Sequence, residues 1–137
     1  MLKKDDVDLV FGETEEIKLK PILEKYFGLT LETTSQTDNF DYIDTESRVK
    51  IELKSRRNTK EKYPTTLLPS YKFNKGLELE EEGWKIIYVF NFTDKLSYWL
   101  SEDKEIKMKS AGRRDRGKPE YRKHLYIPIE ELNDIIF

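Results

Sequence analysis

The stretch that most constrains the fold is WKIIYVFNF, residues 84–92, which only Lys85 and Asn91 interrupt. A strand with one wet face alternates apolar and polar residues. A nearly unbroken apolar run of this length reads instead as a strand buried on both faces. A sheet built around it must be covered on both sides, so the rest of the chain has to supply two covering layers.

Two segments have the pattern for that. GETEEIKLKPILEKYFG, residues 12–28, carries a roughly helical stripe of Ile17, Ile22, Leu23, Tyr26 and Phe27. Its acidic residues gather at the N-terminal end, where the helix dipole favours them. Thr14 is the expected cap and Gly28 the expected stop. Pro21 predicts a bend or a restart, because an interior proline loses a hydrogen bond. SYKFNKGLELEEEG, residues 70–83, predicts a second helix between Ser70 as cap and Gly83 as stop.

Between the helices, LTLETTS (29–35) predicts a strand, and FDYID (40–44) and VKIELKS (49–55) predict a hairpin joined at TESR. YPTTLLP (63–69) predicts a loop, with prolines near both ends. Beyond residue 92, KLSYWLS, EIKMKS and HLYIPI predict strands, AGRRDRGKPEYRK a basic loop, and EELNDIIF a short terminal helix. The order is αβββαβ with a strand-rich tail. It predicts an α/β fold: a mixed central sheet flanked by helices, in a single domain over 1–137, with a core at about 10–92 and a C-terminal extension at 93–137.

Composition removes several kinds of chemistry. There is no cysteine and one histidine, so disulfide frameworks, cysteine–zinc sites and multi-histidine centres are excluded. Any metal must sit among carboxylates, which points to Mg²⁺ or Mn²⁺. No apolar run reaches membrane-spanning length, and MLKKDDVDLV at the start lacks a signal-peptide core. These features predict a soluble, cytoplasmic protein. The net charge of −2 speaks on average against nucleic acid, but the charges are segregated. Residues 107–123 hold Lys107, Lys109, Arg113, Arg114, Arg116, Lys118, Arg122 and Lys123 against Asp115 and Glu120. A solvated loop is the ordinary reading of such a run. Guanidinium forks on a glycine-containing loop also suit phosphate backbones, and Arg56 and Arg57 form a second basic cluster.

The hairpin concentrates the remaining chemistry. With its turn centred between Glu46 and Ser47, Asp41 falls directly across from Glu52, and Lys54 joins Glu52 on the same face. A slip of one residue would place Asp41 beside Ile51 instead. Asp44, two pleats away from Phe40 with Tyr42 between, is expected on the opposite face. Two carboxylates a few ångströms apart suit a hard divalent cation that keeps several of its waters. Such an ion polarises a phosphoryl oxygen and acidifies a bound water, and a nearby ammonium stabilises the charge that develops. A solvent-facing hairpin edge with cross-strand ion pairs would need the same residues and do nothing.

Asp41 followed by Glu52-Leu53-Lys54 resembles the aspartate and E-x-K element of the PD-(D/E)XK nuclease superfamily. GETEE has the Gly-x-x-x-Glu spacing of the first-helix signature of many members, which implies Glu16 near the metal, with Glu13 and Glu15 as rivals. LPSYKFNKG resembles the second-helix segment, which implies a phosphate-reaching Lys72, with Lys75 one turn on. Phe40 stands where the proline of the family name would be. An exposed first-turn glutamate and a surface lysine are the plain readings of Glu16 and Lys72. The resemblance implies a restriction-endonuclease-like core and a Mg²⁺- or Mn²⁺-dependent DNA endonuclease. Asp41, Glu52, the Leu53 carbonyl and Glu16 would serve the metal. Lys54 would act on the attacking water, and Arg56, Arg57, Lys72, Arg113, Arg114 and Arg116 would hold DNA. Within that class a junction resolvase, a restriction or homing-type enzyme and a phage or viral nuclease all remain open, as does a homodimer. A non-catalytic DNA-binding or interaction module on the same fold is the competing class.

Overall fold

The computed structural model describes the backbone of residues 4–35, 38–101 and 124–137, with side chains from residue 15 onward. The expected EIKMKS strand, the side chain of Glu13, and Arg113, Arg114 and Arg116 lie outside the described residues.

Helix α1 spans Lys4–Phe27, starting eight residues before the expected Gly12. Thr14 is therefore inside the helix rather than its cap. The helix runs through Pro21, which lies on an exposed side where water can satisfy the carbonyl left without a donor. Leu19 and Leu23, four residues apart, bury themselves against the sheet. Ile17, expected in the stripe, is 70% exposed. It sits two residues, about 200°, round the helix from Leu19. Gly28 ends the helix at φ 68°, and the Leu29 N–H closes back on the Glu24 carbonyl at 3.0 Å. Only glycine adopts that left-handed turn without cost.

The main sheet has six strands in the order β1-β2-β3-β5-β6-β8. These are β1 (Glu32–Thr33), β2 (Tyr42–Asp44), β3 (Val49–Ser55), β5 (Lys85–Asn91), β6 (Leu96–Trp99) and β8 (Asn133–Asp134), with β4 (Thr65–Pro69) and β7 (His124–Pro128) forming a separate antiparallel pair. β3 and β5 run parallel, joined by a crossover that contains β4 and helix α2 (Ser70–Glu81). All other neighbours are antiparallel, so the sheet is mixed and the fold is α/β, consistent with a restriction-endonuclease-like core.

β5 is the strand that the opening run requires: Ile86 to Phe90 are all buried. Ile87 and Val89 face α1, in a core with Leu19, Leu23, Tyr42, Val49 and Ile51. Ile86, Tyr88 and Phe90 face α2, in a core with Phe73, Leu79, Trp99 and the inward residues of β4 and β7. Gly76 of α2 passes so close to the sheet that a Cβ there would overlap the Tyr88 hydroxyl. That hydroxyl is buried and has no hydrogen-bond partner.

Three expectations change. YPTTLLP is not a loop, because Thr65–Pro69 pairs with His124–Pro128. Pro69 and Pro128 stand at strand ends, where a missing donor is tolerated. EELNDIIF is not a helix. A 3₁₀ turn at Ile129–Glu131 leads into β8, and the Ile135 N–H donates to the Leu96 carbonyl at 2.7 Å. Ser70 does not cap α2: no side-chain capping bond forms, and its Oγ is buried without a partner.

Candidate active site

The β2–β3 hairpin has the expected register. Tyr42 faces Ile51 and Asp44 faces Val49, and the Asp41 N–H continues the ladder to the Ile51 carbonyl at 2.9 Å. Asp44 is structural. Its carboxylate accepts from the Ser47 N–H in the turn and from the Thr30 N–H, each at 2.9 Å, and these bonds hold it below the usual aspartate range. One detail of the hairpin differs from simple alternation. Tyr42 lies in the α1-side core, but Phe40 lies in the α2-side core. The chain bends as it enters β2, and Asp41 occupies the bend.

That bend aims Asp41 along β3. Its Oδ2 accepts the Leu53 N–H at 2.7 Å, just past the last β2–β3 pair. N–H and C=O of one strand residue point to the same edge, so the Leu53 carbonyl faces this edge too, away from β5. Glu52, one residue back, projects to the α2 face beside Tyr88 of β5. It is 2% exposed. Burial first, and then the Asp41 carboxylate, push its pKa up to about 8, against the pull of Lys54 and Lys72. A buried carboxylate beside a second carboxylate is costly unless cations share the site.

Two ammonium groups do share it. Lys54 Nζ stands 3.4 Å from Glu52 Oε2, and Lys72 Nζ stands 3.2 Å from the same oxygen. Lys72 reaches in from the first turn of α2, and its Nζ also donates to the Asn39 carbonyl. Asn39 carried no signal in the sequence, since it contributes only a backbone atom. Lys75 points elsewhere and pairs with Glu78 at 3.5 Å.

Glu16 meets the hairpin at Tyr42. Its backbone carbonyl accepts from the Tyr42 hydroxyl at 2.6 Å. Burial, then the charges of Glu16, Asp41 and Glu15, raise the Tyr42 pKa and keep that hydroxyl protonated. Glu15 accepts from the Asn91 amide at 3.1 Å. Among the described residues no three acidic or histidine side chains stand close enough to hold an ion together. The site therefore offers two carboxylates and one free-edge carbonyl. That donor set fits a hard cation that keeps most of its waters.

Arg56 is already engaged. Its guanidinium donates to Thr66 Oγ1 at 3.3 Å and to the Leu67 carbonyl, and lies 5.9 Å from the centre of the Phe90 ring. It ties β4 to the end of β3. Arg57 is exposed on the next residue. Trp99 is buried against Phe73 and Tyr88 and is not a stacking platform.

No helix among the described residues is long and apolar enough to cross a membrane. A search of curated proteins finds no match. A family model does match: residues 12–135 fit the family described as "Phage putative PDDEXK endonuclease". The matched span contains the α1 glutamates, the Asp41–Glu52–Lys54 hairpin, Lys72, and the strands after residue 92 that no simpler motif covered. On that match, over nearly the whole length, the chain belongs to this phage family of PD-(D/E)XK endonucleases.

Proposed function

We propose that the protein is a Mg²⁺- or Mn²⁺-dependent endonuclease acting on DNA. The observation that carries this reading is the buried Glu52 carboxylate beside Asp41, with Lys54 and Lys72 ammonium groups 3.4 and 3.2 Å from one of its oxygens. A solvent-facing hairpin edge would not bury a carboxylate against a second one.

A divalent cation bound here would supply Lewis-acid polarisation of a phosphoryl oxygen and a more acidic water. Asp41, Glu52 and the Leu53 carbonyl would hold it. Lys54 orients the attacking water and meets the negative charge that grows on the phosphate as the new P–O bond forms. Lys72, now paired with Glu52, would take a phosphate oxygen of the substrate. The bond from the Tyr42 hydroxyl to the Glu16 carbonyl ties α1 to the hairpin behind Asp41, and the Glu16 carboxylate would serve the metal. Arg57, Arg113, Arg114 and Arg116 would contact the phosphate backbone. One such site cuts one strand, so cutting both strands requires a two-fold pair of chains. In an infected bacterium the enzyme would work in the cytoplasm.

The test is cleavage of supercoiled plasmid, single-stranded DNA and a four-way junction with Mg²⁺, Mn²⁺ or EDTA. Cleavage should require the metal. Lys54→Met should lower the single-turnover rate by roughly 100-fold, the scale of one lost transition-state donor, and leave affinity in Ca²⁺ within a few-fold. A parent that never cuts, with a Lys54→Met variant that binds less tightly, would favour the binding module instead.

A further inference from the structure

Beyond the end of β3 the α2 face opens into a cavity of about 190 Å³ whose lining includes Arg56, Asn58, Lys60, Tyr63, Phe92 and Ile129. Lys54 and Arg56 are two residues apart, so the cavity begins about 7 Å along the strand from the reacting group. Both side chains lie by Phe90: Lys54 is its ladder partner and Arg56 sits over its ring.

The lining selects the kind of guest. Phe92 and Ile129 are buried and make an apolar floor. Both cations at the wall already hold partners. Arg56 bonds Thr66 and Leu67, and Lys60 Nζ pairs with Asp134 at 2.7 Å. That leaves little for a phosphate and suits an uncharged ring with polar edges, for which Asn58 and Thr65 offer donors and acceptors. The size agrees. Pockets for drug-sized molecules run to about 300–1,000 Å³, so this one has room for a single ring system and not a whole nucleotide. At the rim stands Tyr63, 53% exposed, with Lys62 Nζ 5.6 Å from the centre of its ring.

Resting on the nuclease reading, we infer that this cavity receives one unstacked nucleobase of the DNA strand whose phosphate lies at Asp41 and Glu52, with Tyr63 stacking on it. The preferred substrate is then DNA with unpaired bases next to the cut, such as a single strand, a flap or a junction. Fully paired duplex would have to turn a base out of its stack first.

The experiment uses 2-aminopurine placed in turn at each position of a single-stranded oligonucleotide, with equilibrium binding in Ca²⁺ so that no cleavage is needed. Fluorescence should change sharply at one position, and the change should vanish in Tyr63→Ala and survive in Tyr63→Phe. Tyr63→Ala should weaken single-strand binding by about 10-fold and duplex binding far less, as one lost stacking contact predicts. Tyr63 is exposed, so folding should be unaffected. Binding without any position-specific signal, or a signal unchanged in Tyr63→Ala, would overturn the base pocket and leave the nuclease reading standing. A protein that binds no DNA in either form would overturn both.

Discussion

The two faces of the sheet are built differently from the same strand. Toward α1, β3 presents Val49 and Ile51 to a core of leucine, isoleucine and valine. Toward α2 it presents Lys50, Glu52 and Lys54, and the aromatic core of Phe73, Tyr88, Phe90 and Trp99 lies beside them. On the α1 face the strand's own residues are buried in an apolar cluster. The α2 face is closed for most of its length and left charged at the hairpin. Each pleat of β3 thus serves both purposes, and the register of one hairpin keeps them apart.

The largest effect should fall on the charged face. If the proposed metal site holds, Asp41→Asn or Glu52→Gln should lower the cleavage rate by about 1,000-fold or more, because each would remove a ligand from a metal worth several kcal/mol to the transition state. The fold should survive. Without metal, Glu52 has its folded pKa raised from 4.5 to about 8, so its contribution favours folding below about pH 4.5 and is lost as the pH rises through about 8. Thermal melts in EDTA should therefore show the parent losing stability between pH 5 and 9 relative to Glu52→Gln. Parallel curves for the two would mean that Glu52 is not held in this environment.

Next comes the apolar face. Ile51 is fully buried, and Ile51→Ala should cost about 2–5 kcal/mol of stability by denaturant melts, yet leave the turnover of whatever remains folded little changed. Loss of turnover with stability intact would blur the division between the faces.

The smallest effect tests the close approach of α2. Gly76→Ala should destabilise, because its methyl meets the Tyr88 hydroxyl. Tyr88→Phe removes a buried hydroxyl that has no partner and should be neutral or stabilising by up to about 1–3 kcal/mol. In the double variant the Gly76→Ala penalty should shrink. Additive effects would place the strain elsewhere.

What could be read in advance follows the distance between partners along the chain. The hairpin closes over four residues, so its register and the Asp41–Glu52 pairing follow from turn length and alternation. The buried run of β5 announces itself by composition alone. The β4–β7 pair joins segments about sixty residues apart, and nothing local in YPTTLLP marks it as a strand. The bend at Phe40 was equally hidden, since period-two counting assumes a regular strand. The bonds that Glu16 makes to Tyr42, and Arg56 to Thr66 Oγ1 and the Leu67 carbonyl, are set by tertiary packing and have no local signal in the sequence.

The β4–β7 pair also bears on the order in which the chain can fold. Synthesis runs from the N-terminus, so β4 and the neighbouring α2, which carries Lys72, emerge well before the residues that complete their side of the core. Leu68 then waits for Leu125 and Ile127, and β6 waits for β8. Pairings this far apart form slowly, after the entropy of a long loop has been lost. A nascent chain therefore holds Asp41, Glu52 and Lys54 before the distant strands that complete the core are made. On the nuclease reading, cleavage would lag translation by the time those distant pairings take to form.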